Sequence, residues 1–388
     1  MTQIKQIHGR KILDSRAEWT TEVELITENV NTVASTPKGK STGKYEVKEV
    51  EPNKALSNIK KLNKILEGVD CQQQREVDSY LDPKYGSNTT IPISLATARA
   101  GAEETGLFLF DYINLVFAKR KEVKMPRPFF NIINGGKHAG NGLPIQEFMI
   151  SPKTKSYQKS LQIAVEVYQE LRKIIQKKFN QANVGDEGGF APDIKKPEQA
   201  LGLIMEAVKK TKHEVEIGLD CAASEFYKNG YYHLHKKMTS NELINYYKQL
   251  IKKYPIISIE DPFHEDDFAS FAQLKKKTKI QVVGDDLTVT NIERINKAIE
   301  QNSCNCLLLK VNQIGTLTKA LDAANLAYHN GWKVMVSHRS GDTEDPFIAD
   351  LAVGIGADYI KTGAPCRAER TAKYNQLLRI DEALKQPF

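Results

Sequence analysis

VEIGLD, residues 215–220, is a short apolar run that closes on an acid, and the same design returns in IISIE (256–260) and IQVVGD (280–285), while CLLLK (306–310) closes on a lysine. KVMVS (333–337) and DYIK (358–361) continue the series, the first leading into His338-Arg339-Ser340 and the second ending on Lys361. Each run has the length of a buried strand and is followed by a helix-like segment, the alternation expected of a parallel sheet. Ahead of these six strand–helix units stand two more strand candidates, PFFNIIN and IQEFMI, then two helical stretches near Tyr157 to Phe179 and Pro197 to Thr211. The Gly-rich connection between the two opening strands is too short for a crossover helix, so they are expected to be antiparallel. Eight strands suffice to close a barrel. The expected fold class is α/β, an eight-stranded β/α barrel in ββαα(βα)6 order.

The first hundred or so residues follow another rhythm, mixed α+β. Thr20 to Ile26 and Asn31 to Thr36 read as an antiparallel hairpin. Ala55, Leu56, Ile59, Leu62, Ile65 and Leu66 recur at helical spacing, and Pro92 is expected near the start of a further helix that stops around Gly106. AKRKEVKMPRP, residues 118–128, concentrates charge and proline and is the expected linker. The predicted organisation is therefore a small domain over residues 1–122 and a catalytic barrel over 123–388. Within the small domain, TPKGKSTGKYE (36–46) contains Gly39-Lys40-Ser41-Thr42, which looks like the tail of a phosphate-cradling P-loop but fails the full pattern. Ala34 stands where the pattern's first glycine belongs, and the strand entering the loop belongs to a hairpin rather than a βαβ unit.

Composition narrows the functional classes. The chain carries 55 Lys and Arg against 48 Asp and Glu, a net +7, but the charges are interleaved, as on solvated helix faces, and no nucleic-acid partner is expected. No apolar run is long enough to span a membrane and Met1 to Arg10 lacks a signal-peptide core, so a cytoplasmic location is expected. Five cysteines, an odd number, show no disulfide framework. Cys304-x-Cys306 reads as core packing on one strand, and His233-x-His235, after the hairpin turn Asn229-Gly230, as a surface ribbon.

In a β/α barrel the C-terminal strand ends converge on one mouth, where active sites lie. Asp220, Glu260, Asp285, Lys310, His338-Arg339-Ser340 and Lys361 thereby become one constellation. A helix N-terminal turn explains an isolated acid, but three acids on adjacent strands repel unless a cation sits among them. Carboxylates without Cys or His neighbours favour a hard ion, Mg²⁺ foremost. Lys310 then has two readings: a counter-ion to the acids, or a base whose pKa is depressed by burial and by the metal.

These residues sit in stretches that resemble the enolase family, whose members interconvert 2-phosphoglycerate and phosphoenolpyruvate. NGGKHAGNGLPIQEFMISP, NVGDEGGFAP, GLDCAASEFYKNGYY, YPIISIEDPFHEDD, GDDLTVTN, LLLKVNQIGTL, VSHRSGDTEDPFIADLAVG and IKTGAP followed by AKYNQLLRI cover most of residues 129 to 380 in family order. The resemblance implies an enolase-type barrel and two Mg²⁺ per site, the second arriving with substrate. Asp220, Glu260 and Asp285 match the ligands of the tighter ion. Lys310 matches the base that removes the C2 proton, and Glu187 the acid that helps the C3 hydroxyl leave. Glu147 supports that acid, and Gln146, His138 and His338 line the pocket, with His338 counted among the catalytic groups. Arg339 and Ser340 match phosphate contacts and Lys361 a contact to the substrate carboxylate. A homo-oligomer, a dimer or higher, is implied too. The general pattern of a Lys or His base with one or two Mg²⁺ is established for the enolase superfamily at large. Glu187 is expected to hold a proton at neutral pH, favoured by burial near Glu147.

The family's loop after Pro37 is Ser-Gly-Ala-Ser-Thr-Gly, whose second serine chelates the second Mg²⁺; Ser41 takes that position here. Lys38 and Lys40 depart from it, replacing a serine and an alanine, and Ala17-Glu18-Trp19 replaces the usual Gly-Asn-Pro. A Gly- and Asp-rich segment usual after the loop is missing. GDEGG, SHRSG and IKTG speak against a racemase or sugar-acid dehydratase. The altered loop leaves open an inactive paralogue acting as a binding scaffold.

Overall fold

The computed structural model describes residues 2–40, 43–118 and 121–385. Ser41, the expected ligand of the second metal, therefore lies outside the described residues.

The chain opens with an antiparallel sheet of β1 (Gln6–Leu13), β2 (Trp19–Ile26) and β3 (Asn31–Ser35) in that spatial order. The expected hairpin is β2–β3; β1 is a third strand that the sequence reading missed. Its burial barely alternates, because it pairs with β2 along its whole length and leaves much of its surface partly exposed. Helices Pro52–Leu66 and Ser87–Thr105 cover the sheet. The second starts five residues before Pro92, which lies inside it. A proline there has no N–H for the carbonyl four residues back, and that carbonyl, of Asn88, accepts the hydroxyl of Thr21 from β2 instead. The helix ends as expected, on left-handed Gly106 at φ 65°.

The barrel begins with β4 (Arg127–Asn134), β5 (Glu147–Pro152) and β6 (Val215–Asp220). A surface ribbon of β7 (Tyr227–Lys228), β8 (Tyr231–His233) and β9 (Lys237–Met238) follows, turning at left-handed Asn229 and Gly230. Then come β10 (Ile256–Glu260), β11 (Gln281–Gly284), β12 (Cys306–Leu309), β13 (Lys333–Ser337) and β14 (Tyr359–Lys361). The sheet closes in the order β10-β11-β12-β13-β14-β4-β5-β6, with β4–β5 and β5–β6 antiparallel and the other pairs parallel. The two expected helices, Tyr157–Phe179 and Pro197–Thr211, pack against each other between β5 and β6.

Strand alternation divides the core in two. Phe129, Met149, Val283, Cys306, Leu308, Met335 and Tyr359 fill the barrel interior, while their strand neighbours, Leu307 and Leu309 among them, join a larger core beneath the helices. Gly218 permits this filling, since a Cβ there would lie 2.7 Å from the Phe129 ring. Cys306 faces the interior and Cys304 the outer core, so both are buried but on different sides. All five cysteines are free. Among the described residues no helix is long and apolar enough to cross a membrane.

The small domain is tied to the barrel by Asp345, which takes a bidentate pair from Arg99 at 2.5 and 2.9 Å and the Ser35 amide at 3.1 Å. Beside it the hydroxyls of Ser35 and Thr343 meet at 2.6 Å.

Candidate active site at the barrel mouth

Register sets the acids in a row. Glu147, Asp220 and Glu260 are successive cross-strand partners on β5, β6 and β10. Asp285 and Lys310 each follow the last residue of the next two strands, and Lys361 ends β14. Apolar strands lift these side chains to the mouth, where water is excluded: Glu147, Asp220, Glu260 and Lys361 are all buried.

The Lys361 ammonium sits amid them, 2.8 Å from both Glu260 oxygens, 3.1 Å from Asp220 Oδ2 and 3.3 Å from Glu147 Oε1. Lys310 Nζ lies 2.5 Å from Asp285 Oδ2. Burial alone would strip the proton from either lysine, but the acids outweigh it and hold both above the usual range. In contact with Asp285, Lys310 stands here as a counter-ion to the acids, the first of its two readings.

Glu187 is carried by GDEGG, a turn closed by the Gly185 amide on the Gly189 carbonyl at 2.8 Å. Glycine is required at two of its positions. A Cβ on Gly185 would lie 2.4 Å from the His138 carbonyl, and Gly188 is left-handed at φ 82°. The Glu187 carboxyl accepts from Asn131 Nδ2 at 2.8 Å and faces His138 Nδ1 at 3.2 Å and His338 Nε2 at 3.5 Å. Burial pushes this carboxyl up, yet His138, His338 and Arg370 outweigh it and hold it well below the usual range. Glu147 goes the other way, raised by burial and by the Glu187 charge. Within this pair Glu187, the member expected to hold the proton, is the one drawn down by the imidazoles and the guanidinium around it, and Glu147 is the one pushed up.

His338 owes its tautomer to Arg370. A guanidinium only donates, and it reaches His338 Nδ1 at 2.7 Å, so the ring proton is on Nε2, toward Glu187. Burial holds His338 well below the usual imidazole range. The same guanidinium, fully buried, binds the carbonyls of Arg339 and Ser340, each at 2.6 Å. Arg339 pairs with Glu46 at 2.9 Å and with Asn312 Oδ1 at 3.0 Å. Gln146 donates to Asp220 Oδ2 at 3.3 Å.

His138, Gln146, Glu147, Glu187, Asp220, Lys310, His338, Arg339, Ser340 and Lys361 border a single small cavity of about 20 Å³. A larger one of about 650 Å³ adjoins it through Gly39 and Arg339. Its walls are mostly small-domain residues between Lys38 and Pro52, with Asn312 and Arg339 from the barrel, whereas the strand-end acids and lysines converge on the smaller one, which is where chemistry is placed.

The donor chemistry suits a hard divalent cation: carboxylates on three adjacent strands, with charge to be balanced and no thiol among them. Yet the tightest groups of potential ligands among the described residues are His138 with Glu147 and Glu187, and Asp261 with Asp285 and Asp286. The expected trio Asp220, Glu260 and Asp285 is not drawn as close, since Lys361 engages the first two and Lys310 the third. Sequence reasoning missed Asn131, Arg370, Glu46, Asp261 and Asp286. Asn131 was visible as the polar interruption in PFFNIIN, and Asp261 and Asp286 as acids doubling a strand end. Arg370, on the helix Ala368–Ala383, carries no such signal.

Comparison with known proteins agrees with this geometry. The family profile described as "Enolase, C-terminal TIM barrel domain" matches residues 122–387, and "Enolase, N-terminal domain" matches 4–113. The chain is similar to proteins named enolase from Methanocaldococcus jannaschii (48% identical, covering 98% of this chain and 96% of the relative), Eimeria tenella (46%; 99% and 97%) and Elusimicrobium minutum (45%; 99% and 97%).

Proposed function

We propose the reaction from one premise: this chain belongs to the enolase family. It is a hydro-lyase that reversibly dehydrates 2-phospho-D-glycerate to phosphoenolpyruvate with a divalent metal. The observation that carries the residue assignment is the single cavity bordered by Lys310 and Glu187 together. Lys310 comes from the end of β12, and Glu187 is held against β4, with β13 and β14 between them in the closed order.

Asp220, Glu260 and Asp285 would hold the cation. When bound, it supplies positive charge where the substrate carboxylate gains a second negative one on losing the C2 proton. Lys361 adds to that charge from the mouth. Arg339 and Ser340 bind the phosphate, and His138, Gln146 and His338 line the pocket. In dehydration, Lys310 takes the C2 proton and Glu187, supported by Glu147, gives one to the departing C3 hydroxyl. The reverse reaction starts from an ammonium at Lys310 and a carboxylate at Glu187, the states toward which their surroundings push them. There Lys310 gives its proton to C2 while Glu187 takes one from the attacking water. Asp285, which pairs with Lys310 here, would turn to the cation, and Lys310 would then be available as the base.

A second Mg²⁺ on Ser41, a glycolytic role in the cytoplasm and a homodimer follow from family resemblance and belong to the same proposal. So does a boundary at residues 122/123, one residue into the profile match that begins at 122. No observation favours the inactive scaffold.

The test is phosphoenolpyruvate formation from 2-phosphoglycerate and Mg²⁺. Lys310→Ala is expected to lower kcat about 10²- to 10⁴-fold, and EDTA to abolish turnover reversibly. A well-folded, metal-bound wild type that makes no product would sink the assignment.

A further inference from the structure

The residues in which this chain departs from the family loop are in contact with other elements. Lys38 Nζ lies 2.7 Å from Glu18 Oε2, and Glu18 belongs to the other departing stretch, Ala17-Glu18-Trp19. Two departures remote in sequence are thus partners in space. Arg16 stands 3.6 Å from the same carboxylate. Lys40 Nζ lies 3.0 Å from Asp186 Oδ2, on the residue before Glu187.

The backbone between them is fixed to the barrel. Lys38 and Gly341 exchange amide hydrogen bonds of 2.7 and 2.8 Å, and Asn312 donates to the Pro37 carbonyl at 3.2 Å. The Lys40 amide donates to Ser340 Oγ at 2.8 Å, as does Arg16 at 3.4 Å. An oxygen that accepts from both is oriented with its own proton directed elsewhere, free to bind a phosphate oxygen.

We propose that Lys38–Glu18 and Lys40–Asp186 form a two-point clamp on the loop. Its residues are positioning residues: they hold Pro37 to Lys40 so that the Lys40 amide orients the Ser340 hydroxyl for the substrate phosphate. The clamp rests on the dehydratase reading above and acts on substrate affinity, not on proton transfer. Both ion pairs are partly exposed, with side-chain exposures of 34% and 46% for Lys38 and Glu18 and 43% and 25% for Lys40 and Asp186. Each is therefore worth a modest factor, about 2- to 5-fold in KM, that shrinks as salt rises.

The test is a charge-swap cycle on the full chain, Glu18→Lys, Lys38→Glu and the double swap, alongside Lys40→Ala and Lys40→Arg. The expected result is a KM for 2-phosphoglycerate raised about 2- to 5-fold in each charge-disrupting single variant, with kcat and melting temperature unchanged. The double swap and Lys40→Arg are expected to restore it. Zero-length carbodiimide coupling read by mass spectrometry should join Lys38 to Glu18 and Lys40 to Asp186 in wild type, independently of turnover. An active wild type whose single variants keep the parental KM, or whose double swap worsens it further, overturns the clamp alone. An inactive wild type overturns the reaction and the clamp's role in it, while the cross-links still show whether the contacts form.

Discussion

Asp345 illustrates how one carboxylate joins two folding units. It takes Arg99 from a helix of the small domain, the Ser35 amide from β3 and the Phe347 amide at 2.9 Å from its own loop. Burial raises its carboxyl, but Arg99 outweighs burial and holds it below the usual range. A depressed folded pKa means that the stabilisation is complete above the unfolded pKa of about 3.9 and is lost as pH falls through the folded value. Asp345→Asn is expected to cost about 3 kcal/mol near neutrality, since it leaves the Arg99 charge poorly compensated. The gap from wild type in urea titrations should stay level from about pH 5 to 8 and narrow below about pH 4. At this scale the sequence was most legible where chemistry is unusual for its place: acids and lysines closing apolar runs. Arg370 was illegible, because a charged residue on a helix usually faces water. Only the fold reveals that this one is buried against His338 and the backbone of residues 339–340.

Elements were legible in proportion to their burial. The barrel strands are inside on both faces and read as continuous apolar runs, whereas β1 is half-exposed and reads as nothing in particular. Helix Ser87–Thr105 shows the opposite failure. It is buried along most of its length, so its residues lack amphipathic contrast, and Pro92 drew the expected start inward. Thr21 makes that interior proline tolerable by occupying the Asn88 carbonyl. Thr21→Val should leave that buried carbonyl unsatisfied and cost about 1–3 kcal/mol, seen as a lower melting temperature. Thr21→Ser, which keeps the hydroxyl, should recover most of it.

At the scale of the whole molecule, domain order and barrel topology followed from counting strands, because right-handed alternation leaves few alternatives. What counting could not supply is the state of the mouth. Lys361 and Lys310 pair with the acids, and which groups lie nearest each other depends on those pairings. Nor could composition show that two departures of the small domain, Lys38 and Glu18, pair with each other while a third, Lys40, reaches across to Asp186 of the barrel.

The chain contains two tryptophans. Trp19 follows Glu18, is 54% exposed and borders the larger cavity with Lys38; Trp332, 8% exposed, precedes β13 at the barrel's opposite end from the mouth. The molecule therefore carries an optical reporter at the clamp and an internal reference far from it. Adding substrate and metal should shift the acrylamide-quenchable part of the emission, which belongs to Trp19, and leave the protected part constant. Trp19→Phe should abolish the shift, making occupancy of the mouth readable by fluorescence without a chemical label.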